Sequence, residues 1–320
     1  MQAASHQPLK HYLALCGGVG GAKLALGLSH VLPPEQLTII VNTGDDFEHL
    51  GLTICPDIDT VTYTLSGLVQ PTQGWGRNEE SFAALDTVER LNGETWFRLG
   101  DKDIGLHLIR RMLLGEGLSL SEVTTRIARQ LGVAHEIAPM TDNAVRTMIN
   151  TTTEVMPFQH YFVKERCAPV VTGIKYCGAD YAQASPALMQ ALVNPNLAGI
   201  FICPSNPYLS IDPILALPGI RQMLVDTRAP VIAVAPIVCS KAIKGPTAKI
   251  MRELSIEPSA AAVAEHYADF LDGYLVDTAD QAVIVGAQVA SCNIVMKTLA
   301  DKIVLAHRCI DFSNELARQS

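Results

Sequence analysis

Hydrophobic positions along the chain fall into short, near-continuous runs separated by stretches of helical period. The runs Tyr12 to Cys16, Leu37 to Val41, Ala198 to Cys203, Val231 to Ala235, Gly273 to Val276 and Val289 to Val295 predict strands covered on both faces. Between them, Leu24 to Leu32, Val61 to Leu68, Ile211 to Val225, Thr247 to Leu254, Ala260 to Leu271 and Leu299 to Phe312 predict helices. Such alternation predicts an α/β fold, a Rossmann-like three-layer arrangement with a mostly parallel sheet.

The middle of the chain breaks this rhythm. Ile104 to Leu114 and Leu120 to Leu131 predict helices, the second opened by a capping box of Ser119 and Glu122. Val145 to Thr151 and Phe158 to Val163 read as β-like. The expected organisation is a nucleotide-binding core of residues 1–70 and 167–320, with a helix-rich cap inserted at 71–166 and placed to close over a ligand.

At 320 residues, with 48% hydrophobic and 18% charged positions, the chain has the make-up of a compact globular protein. Its net charge of -8 argues against non-specific nucleic-acid binding, because no basic stripe can release counterions. No apolar run is long enough to span a membrane, and Met1 to Lys10 lacks the layout of a signal peptide. A cytoplasmic protein without membrane contact is expected. The eight cysteines and nine histidines include no Cys-x-x-Cys and no His-x-x-x-His, so buried reduced thiols are expected rather than a zinc site.

Two loops look built for phosphate. Gly17-Gly18-Val19-Gly20-Gly21-Ala22-Lys23 links a strand to a helix, where bare backbone N–H groups and the helix dipole favour an anion. It lacks the Gly-Lys-Ser/Thr ending of a Walker A loop, and Lys23 stands where a dinucleotide fingerprint needs a third small residue. Asn42-Thr43-Gly44-Asp45-Asp46 ends the next strand, and Asp57 and Asp59 follow in Pro56-Asp57-Ile58-Asp59-Thr60. These aspartates suit a divalent cation held against phosphates, although Asp57 and Asp59 could equally cap the helix they begin. Trp96 to Asp103 offers either a wall for a flat ring or a buried aromatic with a helix cap. Pro204-Ser205-Asn206-Pro207 and Ser240 to Pro246 follow later strands, on the edge of the sheet where α/β proteins bind ligands.

In order along the chain, Gly17 to Lys23, Asn42 to Asp46 with His49-Leu50-Gly51-Leu52, Pro56 to Thr60, Trp96 to Asp103, Pro139 to Asn143, Pro204 to Pro207 and Lys244-Gly245-Pro246 resemble the 2-phospho-L-lactate transferase family. The resemblance spans about Leu13 to Asp280. It implies Mg²⁺-dependent transfer of a phosphorylated three-carbon acid (phosphoenolpyruvyl, 2-phospholactyl or 3-phosphoglyceryl) from its guanosine-diphosphate-activated form. The acceptor is the ribityl hydroxyl of the deazaflavin Fo, GMP leaves, and the product lies on the route to coenzyme F420.

On that basis Asp45 and Asp57 are expected to hold Mg²⁺, with Asp46 and Asp59 as substitutes or supporting partners. Gly17, Gly18, Gly20, Gly21, Lys23, Ser205, Asn206 and Lys244 would hold the guanosine diphosphate moiety. Phe47, His49, Trp96, Leu99 and Gly100 would face Fo. Asp46 and Asp101 are the candidate general bases, unless metal and positioning suffice, and a homodimer is expected. One alternative is a related nucleotide-sugar-binding regulator without catalysis, which would have less need of an insertion enclosing a flat second ligand. Another is a nicotinamide-dependent oxidoreductase, disfavoured by Lys23 and by aspartates that would repel a pyrophosphate without a metal.

Overall fold

A computed structural model describes residues 9–243, 245–280 and 286–319. Its centre is a sheet of seven strands: β1 His11–Cys16, β2 Leu37–Val41, β3 Glu136–Pro139, β4 Leu197–Ile202, β5 Val231–Val234, β6 Gly273–Asp277 and β7 Gln288–Cys292. All six pairings are parallel, in the spatial order 3-2-1-4-5-6-7. The order reverses direction between β1 and β4, where Leu15 lies opposite Ile40 on one side and Ile202 on the other. At such a reversal the two connections leave toward opposite faces and open a crevice at the strands' carboxyl ends.

Apolar side chains explain the elements around it. Every residue of β2 and β5 is buried, as expected of strands covered on both sides. Helix α1, Gly18–Val31, packs against the helix Leu299–Ala317 and against α2, Pro56–Leu65. The connection from β2 to β3 also carries a hairpin of Phe47–His49 with Leu52–Ile54, then α3 Ala83–Arg90, α4 Asp101–Gly115 and α5 Leu120–Gln130. Ser119 and Glu122 form the expected capping box. A small antiparallel sheet of Arg146–Thr151, Val155–Pro157 and Val171–Cys177 stands between β3 and β4.

Three stretches differ from the sequence reading. Glu136–Pro139, inside the 71–166 range, pairs with β2 as the outermost strand of the main sheet. Only Ile137 and Ala138 mark it as apolar, too short a signal against its polar surroundings. Phe158 to Val163 is not a strand but leads into a π-helical turn at His160–Lys164. Phe158, Tyr161 and Phe162 recur at helical spacing, and the rings of Phe158 and Phe162 stack at 5.4 Å. The helix expected over Ile211 to Val225 is split into Asp212–Leu215 and Ile220–Asp226. Pro218 offers no N–H at the break, and Gly219 takes the left-handed φ of 80°.

Candidate active site

The first wall of the crevice is made by backbone approaching backbone. Gly17 donates its N–H to the Ser205 hydroxyl at 3.1 Å, and that hydroxyl donates back to the Gly17 carbonyl at 2.8 Å. A Cβ at position 20 would collide with the carbonyl of Pro204, so glycine there lets the start of α1 meet the loop after β4. Gly17 precedes α1 without a side chain to cap it. Lys23 donates to the Met296 carbonyl at 3.1 Å. Asn206 uses its side-chain oxygen to cap Tyr208 and Leu209, at 3.0 and 3.1 Å, while its buried Nδ2 has no partner. Ser205 thus ties the loops together, and Asn206 keeps a donor in reserve. Lys244 lies outside the described residues.

The second wall is a set of buried carboxylates. Asn42, at the end of β2, donates through Nδ2 to Asp45 Oδ1 at 2.7 Å, Asp57 Oδ2 at 3.0 Å and the Leu209 carbonyl at 3.2 Å. The other Asp45 oxygen accepts from Gln159 Nε2 at 3.1 Å, and Asp57 Oδ1 accepts from the Gly18 N–H at 2.7 Å. Both carboxylates are therefore oriented by neutral amides. Burial, then the charges of Asp57 and Asp46, pushes the Asp45 pKa well up, and burial raises that of Asp57 to about 6.

Asp46 and Asp59 have different surroundings. One Asp46 oxygen is buried without a partner. Burial lifts its pKa to about 8 against the pull of the Arg146 guanidinium and a hydrogen bond from the Cys55 thiol. Asp59, expected among the metal ligands, is instead the counter-ion of Arg110: both carboxylate oxygens accept from the guanidinium, one of them at 3.1 Å. Arg110 reaches in from α4, fully buried, and donates also to the Thr53 carbonyl at 3.2 Å. Its charge satisfies Asp59, which removes the reason for a second cation there.

Next to the carboxylates along the chain, through Phe47 after Asp46 and His160 after Gln159, is an aromatic group drawn from three segments. Phe47 lies 5.6 Å from Trp96 and 4.9 Å from Phe97, between ring centroids, and His49 lies 5.2 Å from Trp96. His160 completes the group, edge-on to Trp96 at 4.6 Å and 84°. His49 Nε2 is buried without a partner, and burial lowers the ring's pKa. Leu99 is buried behind this wall with Leu52 and Ile54, so it supports the rings. Gly100 precedes α4, pressed against the Glu80 side chain. Asp101 is a helix cap: it accepts from the Ser81 hydroxyl and from the N–H groups of Ala83 and Ala84, and these bonds hold its pKa low. A low pKa with three donors attached makes a poor base.

Among the described residues, no group of three or more His, Cys, Asp or Glu gathers as a metal cage. Magnesium does not need one, because one or two carboxylates suffice where phosphates and water fill the remaining positions. Asp45 and Asp57 fit that requirement. They are buried, share one amide, and pair with no Lys or Arg among the described residues. Sequence reasoning missed the amides of Asn42 and Gln159, the rings of Phe97 and His160, and the Arg110 partner of Asp59. Asn42 and Phe97 stood in motifs already singled out; the others had no signal beyond their residue type.

Residues 13–301 match the family described as 2-phospho-L-lactate transferase CofD. The chain is 36% identical to the phosphoenolpyruvate transferase of Streptomyces griseus over 316 residues, covering 96% of each. It is 38% identical to the 2-phospho-L-lactate transferase of Methanosarcina mazei over 266 residues, covering 83% of this chain and 86% of that one. In fold it is similar to a UPF0052-family protein from Bacillus halodurans, with a TM-score of 0.64 at 15% identity over 95% of this chain and 99% of that one. Over nearly its whole described length, then, the chain is a transferase that belongs to the 2-phospho-L-lactate transferase CofD family.

Proposed function

We propose that this enzyme transfers a phosphorylated three-carbon acid from its guanosine-diphosphate-activated form to the ribityl hydroxyl of the deazaflavin Fo. GMP is released, Mg²⁺ is required, and the product is an intermediate of coenzyme F420 biosynthesis. What supports this reading is that two amide-held carboxylates and an aromatic group are joined through adjacent residues, Asp46 with Phe47 and Gln159 with His160. A nucleotide binder alone has use for the first and not the second.

In this reading the backbone at Gly17 to Gly21 and the free Nδ2 of Asn206 orient the diphosphate. The wall of Phe47, His49, Trp96, Phe97 and His160 takes the flat ring, leaving its ribityl chain directed at the carboxylates. Asp45 and Asp57 would hold Mg²⁺, which when bound offsets negative charge on the diphosphate. The ribityl oxygen attacks the phosphorus that carries the acid, the bond from that phosphorus to the oxygen of GMP breaks, and a phosphodiester forms. The hydroxyl proton passes to the ionised form of Asp46, the minor form at neutral pH because burial raises its pKa to about 8, so transfer should speed up as pH rises toward that value. In-line placement of the two reactants supplies most of the remaining acceleration.

The test is an assay of purified protein with Fo, GTP, Mg²⁺ and a guanylyltransferase that activates each acid in turn, read by mass spectrometry for the Fo phosphodiester and GMP. Relatives named for two different acids match at similar identity, so the same assay identifies the donor. Binding of a UDP-sugar with no product from any acid would reject the reading.

A further inference from the structure

The π-helical turn at His160–Lys164 sends consecutive residues into the two halves of the crevice. Gln159, 5% exposed, makes its side-chain hydrogen bond to Asp45, and His160, the next residue, stands edge-on to Trp96. Such turns are rare, and the extra residue re-aims the side chains around it. Strain continues beyond it: Arg166 and Cys167 have φ of 49° and 57°, a left-handed pair that non-glycine residues seldom form. The turn is also pinned from behind. Tyr161, fully buried, accepts a hydrogen bond from Lys249 at 3.1 Å, and Lys249 donates as well to the Pro169 carbonyl at 3.0 Å and to Glu253 at 2.6 Å. Held at Tyr161, the segment has one polar tether on the crevice side, the amide of Gln159.

Resting on the transferase reading above, we infer that Gln159 is a positioning residue for Asp45. Together with His160 it couples loading of the diphosphate side to the setting of the aromatic wall. A neutral amide donor follows its carboxylate when that group turns toward a cation, without supplying a charge of its own. Because His160 adjoins Gln159 in a turn anchored at the following residue, a shift of Gln159 changes the angle of the imidazole against Trp96. Loading with metal and nucleotide then prepares the ring site, and the acceptor binds more tightly second. By linkage, the acceptor tightens the nucleotide to the same extent.

Trp96 reports on this contact, since Trp75 is the other tryptophan of the chain and Trp75→Phe leaves one emitter. In that background, Mg²⁺ with GDP is titrated while calorimetry measures binding and emission follows Trp96; Fo affinity is then measured with and without Mg²⁺ and GDP. The expected result is an emission shift on binding and an Fo affinity raised about tenfold, within the usual range of coupling between sites. Gln159→Met keeps the volume without the donor, and should bind Mg²⁺ and GDP while losing both the shift and the tightening. His160→Leu, which leaves the bond to Asp45 in place, should lose the tightening as well. A Gln159→Met protein that retains both effects would reduce Gln159 to a filler of buried space and overturn the inference. So would calorimetric binding in the Trp75→Phe protein with no change at Trp96. Absence of any binding of Mg²⁺ and GDP would overturn the transferase reading itself, and the inference with it.

Discussion

Asp57 and Asp59 stand one residue apart at the start of α2, equally buried, and end in opposite electrostatic states. Asp57 accepts from a backbone N–H and from the amide of Asn42, donors that orient a carboxylate without cancelling its charge. Asp59 faces the guanidinium of Arg110, which does cancel it. The difference follows from helical geometry, because positions two apart lie about 200° around the helix and look toward different parts of the molecule. Asp57 looks toward β1 and the crevice, whereas Asp59 looks toward α4. A buried carboxylate with only neutral partners is costly until a cation arrives. The pair thus separates an aspartate of the motif held by neutral donors from one held by a counter-ion, and under the proposed function the first is the one expected to meet a cation.

The largest expected effect concerns the side held by neutral donors. Asp45→Asn or Asp57→Asn should lower the transfer rate about a thousandfold, the scale of losing a group preorganised for transition-state charge. Steady-state kinetics and thermal melts would be run on the same preparations. The unliganded variants should melt no lower than the parent, since each removes a carboxyl whose ionised form is disfavoured by burial. A large loss of stability would place Asp57 with Asp59 and break the comparison.

The structural side should behave in reverse. Arg110→Met leaves Asp59 buried without its counter-ion and should cost about 3–5 kcal/mol of stability in urea unfolding. Asp59→Leu combined with Arg110→Met should recover most of that loss. If the double variant recovers and its response to Mg²⁺ matches the parent, Asp59 is confirmed as part of the scaffold.

The dependence on pH sharpens the contrast further. Asp57 and Asp46 keep protons in the fold up to about 6 and about 8, well above the ordinary carboxylate value of 3.8. The folded state binds more protons across that window, so unliganded stability should fall as pH rises through it. Melting temperatures measured from pH 4 to 9 would read the slope. Asp46→Asn should flatten its upper part, and a parent protein whose melting temperature climbs with pH would contradict these assignments.

The smallest expected effect is at Asp101. Asp101→Ala removes the cap of α3 and should lower the melting temperature slightly, with the transfer rate per folded enzyme unchanged. A fall in rate without a matching fall in stability would return Asp101 to the chemistry.

Much of the scaffold was legible because strands buried on both faces leave long apolar runs, and glycines at a strand-to-helix turn mark where backbone must come close. Leu37 to Val41 and Tyr12 to Cys16 are found where the pattern puts them. Glu136–Pro139 was not legible, since an edge strand of four residues carries too few apolar positions. Phe158 to Val163 misled because aromatic residues favour strands in general, while the spacing of these particular rings fits a helical turn.

At the site, residue types declared the chemistry and contacts assigned the roles. Glycines, aspartates and aromatic residues in their order along the chain identified the transferase family, and from them comes the proposal of a diphosphate crevice with a wall for a ring. Which aspartate meets a counter-ion, which carbonyl Lys23 meets, and that Gln159 and His160 join the carboxylates to the rings were decided by the tertiary structure. The reason is physical: local sequence selects elements through propensity and periodicity, whereas the charge state of a buried group depends on whatever donor arrives from a distant segment. Arg110 is 51 residues from Asp59, and Gln159 is 114 residues from Asp45.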